Sequence, residues 1–207
     1  DFLDGTFLPL IRGMGAGVSV KLEKYGFYPA GGGRFVAEIE PCPVLKPIHV
    51  GLRGEIRSKR VTAIVANLSG RIAAREVEKV AEMMSLTSRG TITDTKNSPG
   101  PGNIVLVEVE SEEVNEMFSS FGRLGVPSEK VAEEAVREAR DYLVSRAAVG
   151  EHLTDQLLLP LALAGSGSFT AIKISRHART NIDVIAKFLP VRFETENCED
   201  HCVVRLG

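Results

Sequence analysis

The chain of 207 residues is 43% hydrophobic, enough for one large domain or two small ones with a proper core. A quarter of its residues are charged and the formal net charge is −2, which excludes a global basic field; any nucleic-acid partner must be held by local patches. The longest uninterrupted apolar run, residues 157–164, is far short of a membrane span and contains Pro160. No basic-then-apolar leader opens the chain, and its three cysteines, Cys42, Cys198 and Cys202, suit a reducing compartment; the expectation is a soluble, intracellular protein.

The opening stretch, DFLDGTFLPLIRGMG, carries Phe2, Leu3, Phe7, Leu10 and Ile11 as a helical stripe, with Gly13 and Gly15 available to end it. A helix with no element before it reads as the middle of a longer or processed chain. Residues 18–40 predict a strand pair: VSVKLEKYGFY alternates, Gly31, Gly32 and Gly33 turn the chain, and RFVAEIE alternates again. Pro41, Pro43 and Pro47 follow, then a basic cluster of Arg53, Arg57, Lys59 and Arg60. Residues 61–145 have the pattern of a separate small α/β unit. VTAIVANL is a strand, AAREVEKVAEMM a helix, and TITDT and IVLVEVE are strands around the loop SPGPGN. A helix capped by Ser128, SEKVAEEAVREARDYL, closes the unit. The last stretch, 149–207, reads as helix (EHLTDQLLLPLALAG), strand (SFTAIKIS), helix (NIDVIAKFL) and two closing strands (VRFETE, CVVRL). Strands interleaved with helices make the fold α/β or α+β.

Several groups could carry chemistry. Nearly every position after Gln156 in the helix at 151–164 is apolar, the mark of a buried helix, while His152, Asp155 and Gln156 share one face at its start. Free N–H groups and a positive dipole make that end either a nucleotide pocket or a simple cap. His177 sits between a strand and a helix, flanked by Arg176 and Arg179. That local field disfavours imidazolium and suits either a solvated helix-start residue or a neutral nucleophile attacking phosphorus. Asn181 is placed to hold the second ring nitrogen. The glycine triplet could converge N–H groups on an anion or let two chains approach closely, but no Lys-Ser/Thr follows it, so it is not a P-loop. Cys198, His201, Cys202 and Cys42 invite a metal reading that lacks a fourth ligand.

Four motifs in order, GFYPAGGG (26–33), GPGN (100–103), VGEHLTDQLLLPLALAG (149–165) and HARTN (177–181) with FLPVRF (188–193), closely resemble the RNA 3′-terminal phosphate cyclases. The resemblance covers essentially the whole chain. It implies a core of repeated βαβαββ-type units with two helices and four strands, interrupted by a small thioredoxin-like α/β insert. The divisions are then 1–53, first core segment; 54–148, insert; and 149–207, second core segment. It implies that His177, first residue of H-x-x-T-N, attacks the α-phosphate of ATP to form a histidine–AMP intermediate. AMP passes to the RNA 3′-phosphate, and the vicinal 2′-OH displaces it to leave a 2′,3′-cyclic phosphate. The nucleotide-binding helix start falls on His152, Leu153, Thr154, Asp155 and Gln156. Family members begin with further repeats bearing a glycine-rich segment and the acidic ligands of a divalent cation, Mg or Mn. The expectation is therefore a C-terminal part, weak or inactive alone, that associates with the remainder or with a second copy. Its partners would be RNA 3′-phosphate ends rather than a membrane, and its place cytoplasmic, or nuclear if eukaryotic. The alternative is a non-catalytic cyclase-like RNA-binding protein of ribosome biogenesis; the intact H-x-x-T-N speaks for the enzyme.

Overall fold

A computed structural model describes residues 1–88 and 90–207. A π-helical turn (Leu3–Phe7) leads into α1 (Leu8–Gly13), the hairpin β1 (Val18–Lys24) and β2 (Arg34–Ile39), and the short β3 (Ile48–Val50). Then come β4 (Ile56–Ala66), α2 (Gly70–Met84), β5 (Thr91–Thr95), β6 (Gly102–Ser111), β7 (Asn115–Phe121) and α3 (Ser128–Val144). The chain continues through α4 (Glu151–Ala164), β8 (Gly167–Ala171), α5 (Arg176–Phe188), β9 (Phe193–Asn197) and β10 (Cys202–Leu206). The fold is mixed α/β.

One four-stranded sheet has the order β3-β8-β10-β9, with β3 parallel to β8 and β10 antiparallel to both of its neighbours. With the stretch between β3 and α4 set aside, the order β3-α4-β8-α5-β9-β10 is a βαβαββ unit. Its core comes from period-matched positions: Leu153, Leu157, Leu158 and Leu161 on α4, Ala178 and Ile185 on α5, and Phe169, Val204 and Leu206 on the strands. The apolar run on α4 is not buried all round, as its sequence suggested. Leu159 and Leu163 are on the opposite side from Leu157 and Leu161 and stay 47% and 58% exposed.

The second four-stranded sheet has the order β5-β4-β6-β7, with only the β4–β5 pair parallel. α2 crosses over from β4 to β5, and α3 follows β7, an arrangement consistent with the thioredoxin-like insert. Val61, Ala63 and Val65 of β4 and Val105, Val107 and Val109 of β6 face α2 and α3. Residues of the other parity, Ile64, Ala66, Ile104 and Leu106, face Tyr25 and Phe27 next to the hairpin. Both faces of the sheet are thus covered, which explains why β4 and β6 read as continuous apolar runs. Ser128 does not cap α3: the N-cap position belongs to Pro127, no side chain bonds there, and Ser128 is the first helical residue.

Two chain crossings join the units. Arg53 is buried, donating to the carbonyls of Tyr142 at 2.9 Å, Leu143 at 2.9 Å and Ser145, all at the C-terminus of α3. These carbonyls have no helical partner and carry the negative end of the dipole, so a cation belongs there. The guanidinium also lies 4.8 Å from the centroid of the Tyr142 ring, whose hydroxyl donates to Ala148 O at 2.9 Å. Arg146 extends the joint to the β9–β10 turn through Asp200 Oδ2 at 3.0 Å.

Glu76 on α2 is buried, with Oε1 accepting from Asn103 Nδ2 and Oε2 unpartnered. Burial pushes its carboxyl up to about 7 from the ordinary 4.5. The folded state then binds this proton more tightly than the unfolded state, so the contribution of Glu76 to stability is greatest below about 4.5 and is lost as pH rises to about 7. Glu76→Gln should abolish that part of the decline, on the order of 3 kcal/mol at most, in urea unfolding compared at the two ends of the window. An unchanged slope in the variant would contradict the assignment.

Candidate active site

The first turn of α5 is built to display His177. Ser175 at the N-cap accepts from Ala178 N at 3.1 Å, and Ala178 packs into the core, so the turn is pinned from beneath. The helix therefore starts five residues before NIDVIAKFL, β8 ends at Ala171, and His177 lies inside the helix rather than ahead of it. Its side chain is 83% exposed, and Arg176 and Arg179 beside it are exposed too.

The ring is held from α4. His177 Nδ1 lies 3.0 Å from Asp155 Oδ2, and the Asp155 side chain is only 22% exposed. With Nδ1–H turned to this carboxylate, Nε2 would be the ring nitrogen left free. Asn181, expected to hold the ring, instead holds its holder. Its Nδ2 donates to Asp155 O and to Asp155 Oδ1, both at 3.1 Å. Two helices thus converge on one carboxylate, with His177 and Asn181 one turn apart on α5.

The remaining helix-start residues diverge. Leu153 and Thr154 are fully buried, Leu153 in the core and Thr154 donating from Oγ1 to Gly150 O at 2.7 Å. His152 is exposed and borders a cavity of about 730 Å³ together with Glu138 and Asp141 of α3 and the 2.7 Å ion pair Lys173–Glu151. Gln156 keeps its side-chain oxygen without a partner.

The basic cluster does not assemble. Arg53 is spent inside the joint, Lys59 donates to Met84 O at 3.2 Å, and Arg60 pairs with Glu108 and Glu110, each at 3.1 Å. The glycine motif and the SPGPGN loop pack on each other. A Cβ on Gly32, whose φ is +71°, would come within 2.5 Å of Pro99, and one on Gly26 within 2.2 Å of Gly33 N. Phe27 is buried beneath, and Asn67 Nδ2 donates to Ser98 O and Gly100 O. The glycines serve close approach. Among the described residues no group of three or more His, Cys, Asp or Glu could hold a metal ion. Cys202 Sγ is bonded to Asn197 Oδ1 at 2.9 Å, and His201 Nδ1 lies 2.7 Å from Asp200 Oδ1. Sequence reasoning missed Glu116, whose carboxylate reaches α4; its only signal was an inward parity shared with Phe118 and Ser120 on β7. No helix among the described residues is long and apolar enough to cross a membrane.

A family profile described as RNA 3′-terminal phosphate cyclase matches residues 1–195. Curated proteins named RNA 3′-terminal phosphate cyclase are similar to the chain. The one from Koribacter versatilis is 50% identical over 202 residues, 96% of this chain and 57% of the relative. That from Ectopseudomonas mendocina is 45% identical, covering 92% of this chain and 56% of its own length. That from Salmonella enteritidis is 41% identical, covering 100% and 61%. The chain therefore spans a little over half the length of these relatives.

Arg53→Ala should strip three carbonyls of their donor and destabilise the chain by about 2–4 kcal/mol, whereas Arg57→Ala should stay within about 0.5 kcal/mol. Urea unfolding of both variants checks this. Equal, small effects would mean that Arg53 does not hold the joint.

Proposed function

The chain belongs to the RNA 3′-terminal phosphate cyclase family, and on that premise we propose that its protein converts an RNA 3′-phosphate to a 2′,3′-cyclic phosphate in an ATP-dependent reaction. His177 is the nucleophile. The observation that carries this reading is the 3.0 Å approach of His177 Nδ1 to Asp155 Oδ2 on a side chain that is 83% exposed, an arrangement that suits Nε2 as the attacking nitrogen.

His177 Nε2 attacks the α-phosphorus of ATP. The N–P bond forms as the bond to pyrophosphate breaks, and the ring turns cationic; the Asp155 carboxylate beside Nδ1 stabilises that charge. Arg176 and Arg179 are exposed next to the nucleophile, where they can meet phosphate oxygens. A terminal 3′-phosphate oxygen of the RNA next attacks the same phosphorus and displaces Nε2. The 2′-OH finally attacks the 3′-phosphate, giving up its proton as AMP leaves. The helix start of α4 supplies nucleotide contacts through exposed His152 and backbone N–H groups. The family chemistry also implies a divalent cation. The described residues do not fit a site for one, and no step here runs through it. The cytoplasm, with its RNA and ATP, is the compartment this reading implies.

The test is covalent labelling of the complete protein with α-labelled ATP. Acid-labile, alkali-stable label should map to the His177 peptide, and His177→Asn should abolish it with the melting temperature nearly unchanged, as befits an exposed residue. Asp155→Ala should slow labelling by at least ~10-fold, far beyond its effect on melting, since the ring loses its tautomer. Label persisting on His177→Asn would sink the assignment. Complete absence of label from the intact protein would favour a non-catalytic RNA-binding role.

A further inference from the structure

We propose that Glu116 is a positioning residue for the nucleophile: from the insert, its buried carboxylate fixes the first turn of α4 and thereby the Asp155–His177 pair. The proposal rests on the reading of His177 as nucleophile. Gly150 occupies the N-cap of α4 and brings no side chain, so the orphan N–H groups of that end need an acceptor from elsewhere. Glu116 on β7 supplies one. Its Oε1 accepts from Gly150 N, while Oε2 accepts from Met117 N at 3.2 Å. The carboxylate sits directly against the glycine: a Cβ on Gly150 would be 3.1 Å from Glu116 Oε1 and 3.4 Å from Phe118 Cε1.

From this contact to the nucleophile the structure is continuous. Thr154 Oγ1 closes the first turn on Gly150 O, Asp155 follows, and Asn181 clamps Asp155 by both its carbonyl and its carboxylate. The segment from Gly150 to Asp155 is about 7.5 Å of helix, so a small tilt of the first turn moves Oδ2 relative to the ring. Glu116 is also costly to keep. It is fully buried next to Tyr142, and burial pushes its carboxyl up to about 7. An apolar side chain would suit simple packing at this place. A buried carboxylate that meets a helix start and reaches a reacting group through one turn suits orientation.

Two variants of the complete protein test this from opposite sides of the contact. Glu116→Gln replaces one acceptor oxygen by a donor. Gly150→Ala leaves the backbone unstrained, because φ there is −77°, and only pushes on the carboxylate. Both should slow single-turnover labelling of His177 roughly 10- to 100-fold, with the KM for ATP within about twofold of wild type. Both should speed hydrogen exchange over residues 152–156 and lower the Nδ1–H fraction of His177 in ¹⁵N spectra. Val131→Ala, in the insert core away from the contact, serves as the control. It should lower the melting temperature without changing rate, exchange at α4 or tautomer. Unchanged tautomer and exchange in both test variants overturn the proposal, as does a loss of rate that merely tracks melting across all three. If the wild type takes no label, the cyclase reading fails instead, and exchange and tautomer still decide the role of Glu116.

Discussion

Charge buried at the ends of helices organises this molecule. Two apolar cores, one under the βαβαββ sheet and one between the second sheet and its helices, are joined by polar contacts at two chain crossings. At one end Arg53 places a cation on the closing carbonyls of α3; at the other, Glu116 places an acceptor on the opening N–H of α4. Each group meets the helix end of opposite polarity. The helix end that Glu116 meets carries Asp155 five residues later, and Glu116 and Gly150 also line the cavity that His152 borders.

The site divides its work by depth. The His177 side chain and the two arginines are exposed. The parts that fix them, Ala178 beneath the turn and Asp155 clamped by Asn181, are buried or half-buried and hence rigid. His152 lies apart from this pair, on the cavity shared with α3.

Local pattern made much of this legible in the sequence. The alternation of the hairpin, the apolar runs of β4 and β6, the stripes of α2 and α5 and the order of helices and strands after residue 149 all appear in the structure. His177 was visible as a residue with the right neighbours, and the family motif singled it out. What escaped depends on contacts far apart in sequence. The clamp of Asp155 by Asn181 joins residues 26 positions apart, and the Glu116–Gly150 contact joins residues 34 apart. Arg53 looked like part of a basic face because sequence spacing does not reveal which cation finds buried carbonyls. The apolar pattern of α4 overstated its burial, because the described residues cover only the Leu157–Leu161 side.

The central claim is that Asp155 holds Nδ1 so that Nε2 does the chemistry. The most direct measurement is ³¹P–¹⁵N coupling in the covalent AMP adduct of ring-labelled complete protein. The account predicts coupling of phosphorus to Nε2 of His177. Coupling to Nδ1, or an adduct on His152, would contradict it.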